Sequence, residues 1–72
     1  MSFAEKLRAS RKEKGLSQEA LAEKLKVSRQ SVTKWESGLA YPEIRTLILL
    51  AETLDRDLDW LLSDEKNQNR II

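Results

Sequence analysis

The amino-acid sequence predicts an all-α fold, a compact bundle of five short helices, and three observations lead there. Apolar residues recur three and four positions apart along most of the chain, the spacing of one face of an α-helix. Small polar residues suited to cap a helix stand just before several of those stretches, and Gly15 and Gly38 stand just after two of them. The length, 72 residues, suits one modest core and no second sensing module.

Ser2 followed by Glu5 has the pattern of a capping box at the head of a first helix, in which Phe3 and Leu7 fall four residues apart. Arg11 continues their stripe, so a cation is aimed toward the core and needs an acid to meet it there. Gly15 ends this helix. Ser17 caps a second one, with Leu16 and Leu21 set for a hydrophobic staple and Leu21 and Leu25 on its inner face. Ala20 and Ala22 are small where another helix could cross closely. Lys26, Val27 and Ser28 form a short link, and Ser28 is a good N-cap for a third helix running to Gly38.

Pro42 leads into a fourth helix, roughly residues 43–54, whose Ile44, Leu47, Ile48, Leu50, Ala51 and Leu54 form a wide apolar stripe. Leu49 falls outside that stripe. Asp57 is placed to cap a short fifth helix carrying Leu58, Trp60, Leu61 and Leu62. Trp35 reads as core, and Trp60 as core or its rim. These elements make residues 1–63 one domain. Residues 64–72, "DEKNQNRII", have no periodicity before Ile71 and Ile72 and are expected to form a mobile polar tail.

Composition removes several classes of function. With no Cys and no His there is no disulfide and no thiol nucleophile, and a metal site would need carboxylates alone, so none is expected. No Gly-rich phosphate loop or nucleophile beside a base appears, so neither enzymatic activity nor a cofactor is expected. The N-terminus lacks the apolar run of a signal peptide and no stretch reaches about 18 apolar residues, which points to a cytoplasmic protein without a membrane partner. The net charge of +1 hides an asymmetry. Residues 1–38 carry nine basic side chains against five acidic ones, and residues 39–72 carry four against seven. A polyanionic partner for the N-terminal half is the implication.

The third helix sharpens it. At ~100° per residue, Arg29, Gln30, Thr33, Lys34 and Ser37 share one arc of about 140°, while Val32 and Trp35 lie opposite. One face suits the core and the other is a row of hydrogen-bond donors without an acid. Two short helices joined by a three-residue link, the second displaying donors outward, have the layout of a helix-turn-helix. Ala22, Leu25, Val27, Val32 and Trp35 supply the small crossing residue and apolar anchors that such a pair needs. Arg suits guanine, Gln suits adenine, Lys suits guanine or phosphate, and Thr suits a thymine methyl or phosphate. Lys12, Lys24 and Lys26 read as solvated charges instead.

The stretch "SQEALAEKLKVSRQSVTKWESG" resembles the helix-turn-helix of the Cro and phage-repressor family, also called the Xre family, and the likeness extends from "LRASRKEKGLSQ" through "YPEIRTLILLAETL" to "LDWLLS". The resemblance implies a five-helix bundle whose third helix enters the DNA major groove. It makes Arg29, Gln30 and Lys34 base readers, with Thr33 on a base or a phosphate. Gln18, at the start of the second helix, matches a phosphate-contacting glutamine, and free N–H groups at a helix N-terminus suit an anion as well. Ser17, Ser28, Ser37 and Tyr41 are further candidates for phosphate. The family also suggests Glu36 as the acid that meets Arg11, in a structural ion pair.

Some positions depart from the family's pattern. Lys26 and Asp55 stand where Gly is frequent, so both are expected in a left-handed conformation. Leu39 and Tyr41 occupy a loop where many members have a basic residue, which leaves Tyr41 or Arg45 to supply that contact. Leu49 and Trp60 are candidates for a homodimer interface, because one small module selects a site poorly and two, spaced about 34–36 Å apart, select it well.

The reading that emerges is a sequence-specific regulator of transcription, a repressor by preference, that binds a palindromic double-stranded operator as a dimer with no small-molecule effector. The alternative is an antitoxin-like or anti-repressor module that works through its fourth and fifth helices. RNA is disfavoured as a partner because no sheet of stacking aromatics is present.

Overall fold

A computed structural model describes residues 1–63, and the expected tail at 64–72, with Ile71 and Ile72, lies outside the described residues. Five helices follow one another and no strand appears among the described residues: α1 (Phe3–Glu13), α2 (Gln18–Leu25), α3 (Arg29–Glu36), α4 (Ile44–Leu54) and α5 (Leu58–Leu62).

The first three helices begin on serines that do the work of a cap. Ser2 Oγ accepts from the Glu5 N–H at 3.2 Å while the Ser2 N–H donates to the Glu5 carboxylate at 3.0 Å, closing the capping box. That backbone N–H holds the Glu5 carboxyl below its ordinary value of 4.5. Ser17 and Ser28 accept from the N–H groups of Ala20 and Ser31 at 2.9 and 3.1 Å. Asp57 differs from expectation. It occupies the N-cap position of α5 with extended backbone, but its carboxylate makes no capping hydrogen bond, and only its carbonyl is engaged, accepting from Leu61 N at 3.1 Å.

The helix ends share one device. Gly15, Lys26, Gly38 and Asp55 all have positive φ, at 72°, 60°, 78° and 58°, just past α1, α2, α3 and α4. The next residue then donates back into the helix: Leu16 to Arg11, Val27 to Ala22, Leu39 to Lys34 and Arg56 to Ala51, at 2.9–3.2 Å. Nothing lies within 4 Å of a Cβ built on Gly15 or Gly38, so φ alone favours glycine there.

The core is contributed by every helix. Phe3 and Leu7 meet Leu21, Ala22, Leu25, Val32, Trp35, Leu47, Leu50, Ala51, Leu54 and Leu61, all buried. Ala22 is buried on α2, which packs on α3 and α4, and a small side chain suits a close crossing of two backbones. The stripe expected on α4 is narrower than the sequence suggests. Ile44 and Ile48 are 59% and 45% exposed, while Leu47, Leu50, Ala51 and Leu54 face inward. The two isoleucines flank an inner face that four other residues already fill.

α5 is held from its other end. The Lys6 ammonium, buried beneath it, donates to the Trp60 carbonyl at 2.7 Å and to the carbonyl and hydroxyl of Ser63. Cations suit the last carbonyls of a helix, which lack partners of their own. Lys6 and Arg56 also lie 5.1 and 4.7 Å from the Trp60 ring. Arg56 pairs with Glu13, and Lys14 approaches Asp55 at 3.9 Å, so the end of α1 is tied to the α4–α5 junction.

Candidate nucleic-acid interface

α3 is braced from behind by α2 and α1 and presents its other face to solvent. Val32 and Trp35 are buried, whereas Arg29, Gln30, Thr33, Lys34 and Ser37 are exposed. Arg29, Gln30, Thr33 and Lys34 line one open concavity of about 460 Å³. The turn that sets the angle of α3 passes through Lys26 in left-handed geometry, φ 60° and ψ 44°. Val27 packs on the core from the same turn.

A chain of polar contacts runs behind this face. Arg11 Nε donates to Glu36 Oε2 at 2.7 Å and its Nη2 donates to Glu36 Oε1 at 3.1 Å, a two-pronged pair with side chains only 10% and 4% exposed. Arg11 Nη1 donates to the Leu16 carbonyl at 2.8 Å. Glu36 Oε1 also accepts from Gln18 Nε2 at 3.0 Å. Gln18 Oε1 in turn accepts from the Thr33 hydroxyl at 2.9 Å, and the same hydroxyl lies 3.1 Å from the Arg29 carbonyl.

The remaining candidates differ in what they have free. The side chains of Arg29, Gln30 and Lys34 have no hydrogen-bond or ionic partner among the described residues. The Ser37 hydroxyl donates to the Thr33 carbonyl at 2.7 Å, and Ser28 Oγ lies 3.1 Å from Ser31 Oγ. Ser17 is a cap at the head of α2. Tyr41 is 71% exposed in the α3–α4 loop, its ring 5.3 Å from that of Phe3. Arg45 is exposed one residue into α4. Leu49 is 44% exposed on α4, and Trp60 is half-buried on α5 with two cations near its ring.

Two features of the structure carry no signal in sequence spacing. Gln18 bridges Glu36 and Thr33, which requires knowing the distance between α2 and α3. Ser10 is buried with its hydroxyl unpaired among the described residues, and nothing in the structure explains that hydroxyl.

A family model described as helix-turn-helix matches residues 7–61. A transcriptional activator of Enterococcus faecalis, BcrR, is 46% identical over 66 residues, which are 92% of this chain and 32% of the relative. The regulator YqaE of Bacillus subtilis is 41% identical over 66 residues, 92% of this chain and 57% of the relative. The chain thus spans a third to rather more than half of these two relatives. Among solved structures, the P22 c2 repressor in complex with a synthetic operator superposes with a TM-score of 0.84 at 30% identity, covering 88% of this chain and 96% of that one. The biofilm regulator SinR in complex with DNA gives 0.78 at 32% identity, covering 85% and 98%. No described helix is long and apolar enough to cross a membrane. With five helices in the same arrangement and a family match over most of its length, the chain belongs to the helix-turn-helix family of Cro and phage-repressor type.

Proposed function

We propose that this domain reads double-stranded DNA in the major groove with α3, as part of a transcriptional regulator in the cytoplasm. The observation that carries the reading is the row formed by Arg29, Gln30 and Lys34. Three long donor-bearing side chains, without partners among the described residues, stand on a helix whose opposite face is locked into the core. Such groups match the acceptor-rich edges of guanine and adenine. Ser17, Gln18 and the N-terminus of α2 are the proposed contacts to one phosphate strand, with Ser28, Tyr41 and Arg45 as the remaining backbone contacts, whereas the one hydroxyl proton of Ser37 is held by the Thr33 carbonyl. The structural relatives named as complexes with operator or DNA support double-stranded DNA as the partner.

Operation as a homodimer on a two-fold symmetric operator follows from the small footprint of one domain, which contacts too few bases to select a site. Leu49 and Trp60 are the proposed interface. Repression is the proposed mode because a bound dimer obstructs polymerase with no further surface. The activator among the relatives shares only 32% of its length with this chain. Control by protein concentration or by a partner protein, rather than by a small effector, completes the proposal.

A second reading gives α4 and α5 the principal role, as a surface for another protein, and the exposure of Ile44, Ile48, Leu49 and Leu62 favours it. The variant Arg29→Ala/Gln30→Ala/Lys34→Ala separates the two. Loss of roughly 100-fold or more in affinity for a selected duplex, with helix content unchanged, is the expected result. Undiminished DNA affinity would overturn the reading, and competition by RNA as effective as by duplex DNA would redirect it.

A further inference from the structure

We propose that Thr33 meets DNA as a methyl group that recognises thymine, and that Gln18 is the positioning residue that holds it in that orientation. The inference rests on the DNA reading above and specifies what one position of it recognises.

The chain of contacts behind α3 has a fixed polarity. Arg11 can only donate, so both oxygens of Glu36 are acceptors. A carboxylate accepts but does not donate, so it must take the amide nitrogen of Gln18, and it does so at 3.0 Å. The Gln18 carbonyl is thereby turned away from Glu36 and toward Thr33, which it meets at 2.9 Å. An amide oxygen accepts only, so the Thr33 hydroxyl is the donor.

A hydroxyl has one proton. Its two neighbours within reach, Gln18 Oε1 and the Arg29 carbonyl at 3.1 Å, are both acceptors. Thr33 therefore has no donor left for phosphate oxygens or for guanine N7 and O6, all of which only accept. Threonine in a helix populates two rotamers, one of which bonds the carbonyl four residues back. Gln18 adds a second acceptor to that same rotamer. With its oxygen engaged by Gln18 and the Arg29 carbonyl, Thr33 offers the groove a methyl group, whose match among base edges is the 5-methyl of thymine. The two roles assigned to Thr33 by chemistry alone, methyl or phosphate contact, are separated by who holds its proton.

The test uses a duplex selected by the wild-type protein, in which each thymine is replaced in turn by deoxyuridine, removing only the 5-methyl group. Wild type, Thr33→Val, Thr33→Ser and Gln18→Ala are titrated on each duplex, at two or more salt concentrations. The wild type is expected to lose affinity about 3- to 10-fold at one thymine per half-site. Thr33→Val keeps that loss, Thr33→Ser abolishes it, and Gln18→Ala diminishes it at that thymine.

Three results would overturn the proposal: no thymine whose methyl matters, discrimination that survives in Thr33→Ser, or discrimination that disappears in Thr33→Val. A Gln18→Ala variant that binds every duplex uniformly more weakly, with a salt slope lower by about 1 and methyl discrimination intact, would make Gln18 a phosphate contact only. If folded wild-type protein selects no duplex at all, the DNA reading falls and this inference falls with it; the other failures leave that reading standing.

Discussion

Arg11 places a full positive charge in the interior of a small bundle, where desolvation would be costly without a partner. The cost is offset by a two-pronged bond to Glu36 and by a third contact to the Leu16 carbonyl. Arg11→Ala leaves Glu36 buried with only the Gln18 amide, and a loss of about 3–5 kcal/mol is expected in urea unfolding. An unchanged midpoint would show that the pair contributes no net stability. The sequence placed Arg11 on the core side of its helix by periodicity, and resemblance supplied Glu36. It offered no sign of Gln18 as the third member, because that contact joins residues 18 apart across two helices. The buried Lys6 was invisible for a related reason. An ammonium one residue before Leu7 looks like surface until α5 is laid over it.

Caps and stops were the most legible features at the scale of the element, because they are local. Four helices end on left-handed residues, two of them not glycine. An L-residue there costs about 1–2 kcal/mol relative to right-handed geometry, part of which glycine regains at the expense of its own flexibility. Lys26→Gly is therefore expected to raise stability by about 0.5–1 kcal/mol by thermal or urea unfolding, and a destabilised variant would mean the Lys26 side chain contributes more than its backbone strain costs. α5 behaves differently. It has no side-chain N-cap and depends on Lys6 at its C-terminal end. Lys6→Met should speed amide exchange of Leu61 and Ser63 while α2 and α3 stay protected, and equal protection throughout would remove Lys6 from that role. The apolar stripe of α4 is narrower than its periodicity implies. Periodicity counts apolar residues but not the neighbours available to cover them, and in a bundle of this size Ile44 and Ile48 are left at the edge.

For the molecule as a whole, charge and exposed apolar area lie on different elements. The basic excess belongs to residues 1–38, which include α3, while Ile44, Ile48 and Leu49 emerge from α4. That separation suits a domain that meets a polyanion through one surface and a second protein chain through another. If the second chain is another copy, Leu49→Glu should shift sedimentation toward monomer and weaken binding to a symmetric duplex at least 10-fold, without altering binding to a single half-site. An unchanged dimer would remove Leu49 from the interface. The fold class and the exposed polar face of α3 were legible because both follow from helical periodicity. The mode of assembly was not, since single exposed apolar residues are ordinary on any protein surface.

The most direct test of the central claim is selection of bound duplexes from a random DNA library at near-physiological salt, where non-specific attraction to phosphate is suppressed. The account predicts enrichment of a two-fold symmetric site that the Arg29→Ala/Gln30→Ala/Lys34→Ala variant no longer recognises. A folded protein that enriches no site, or one whose enriched site is unaffected by that variant, would contradict it.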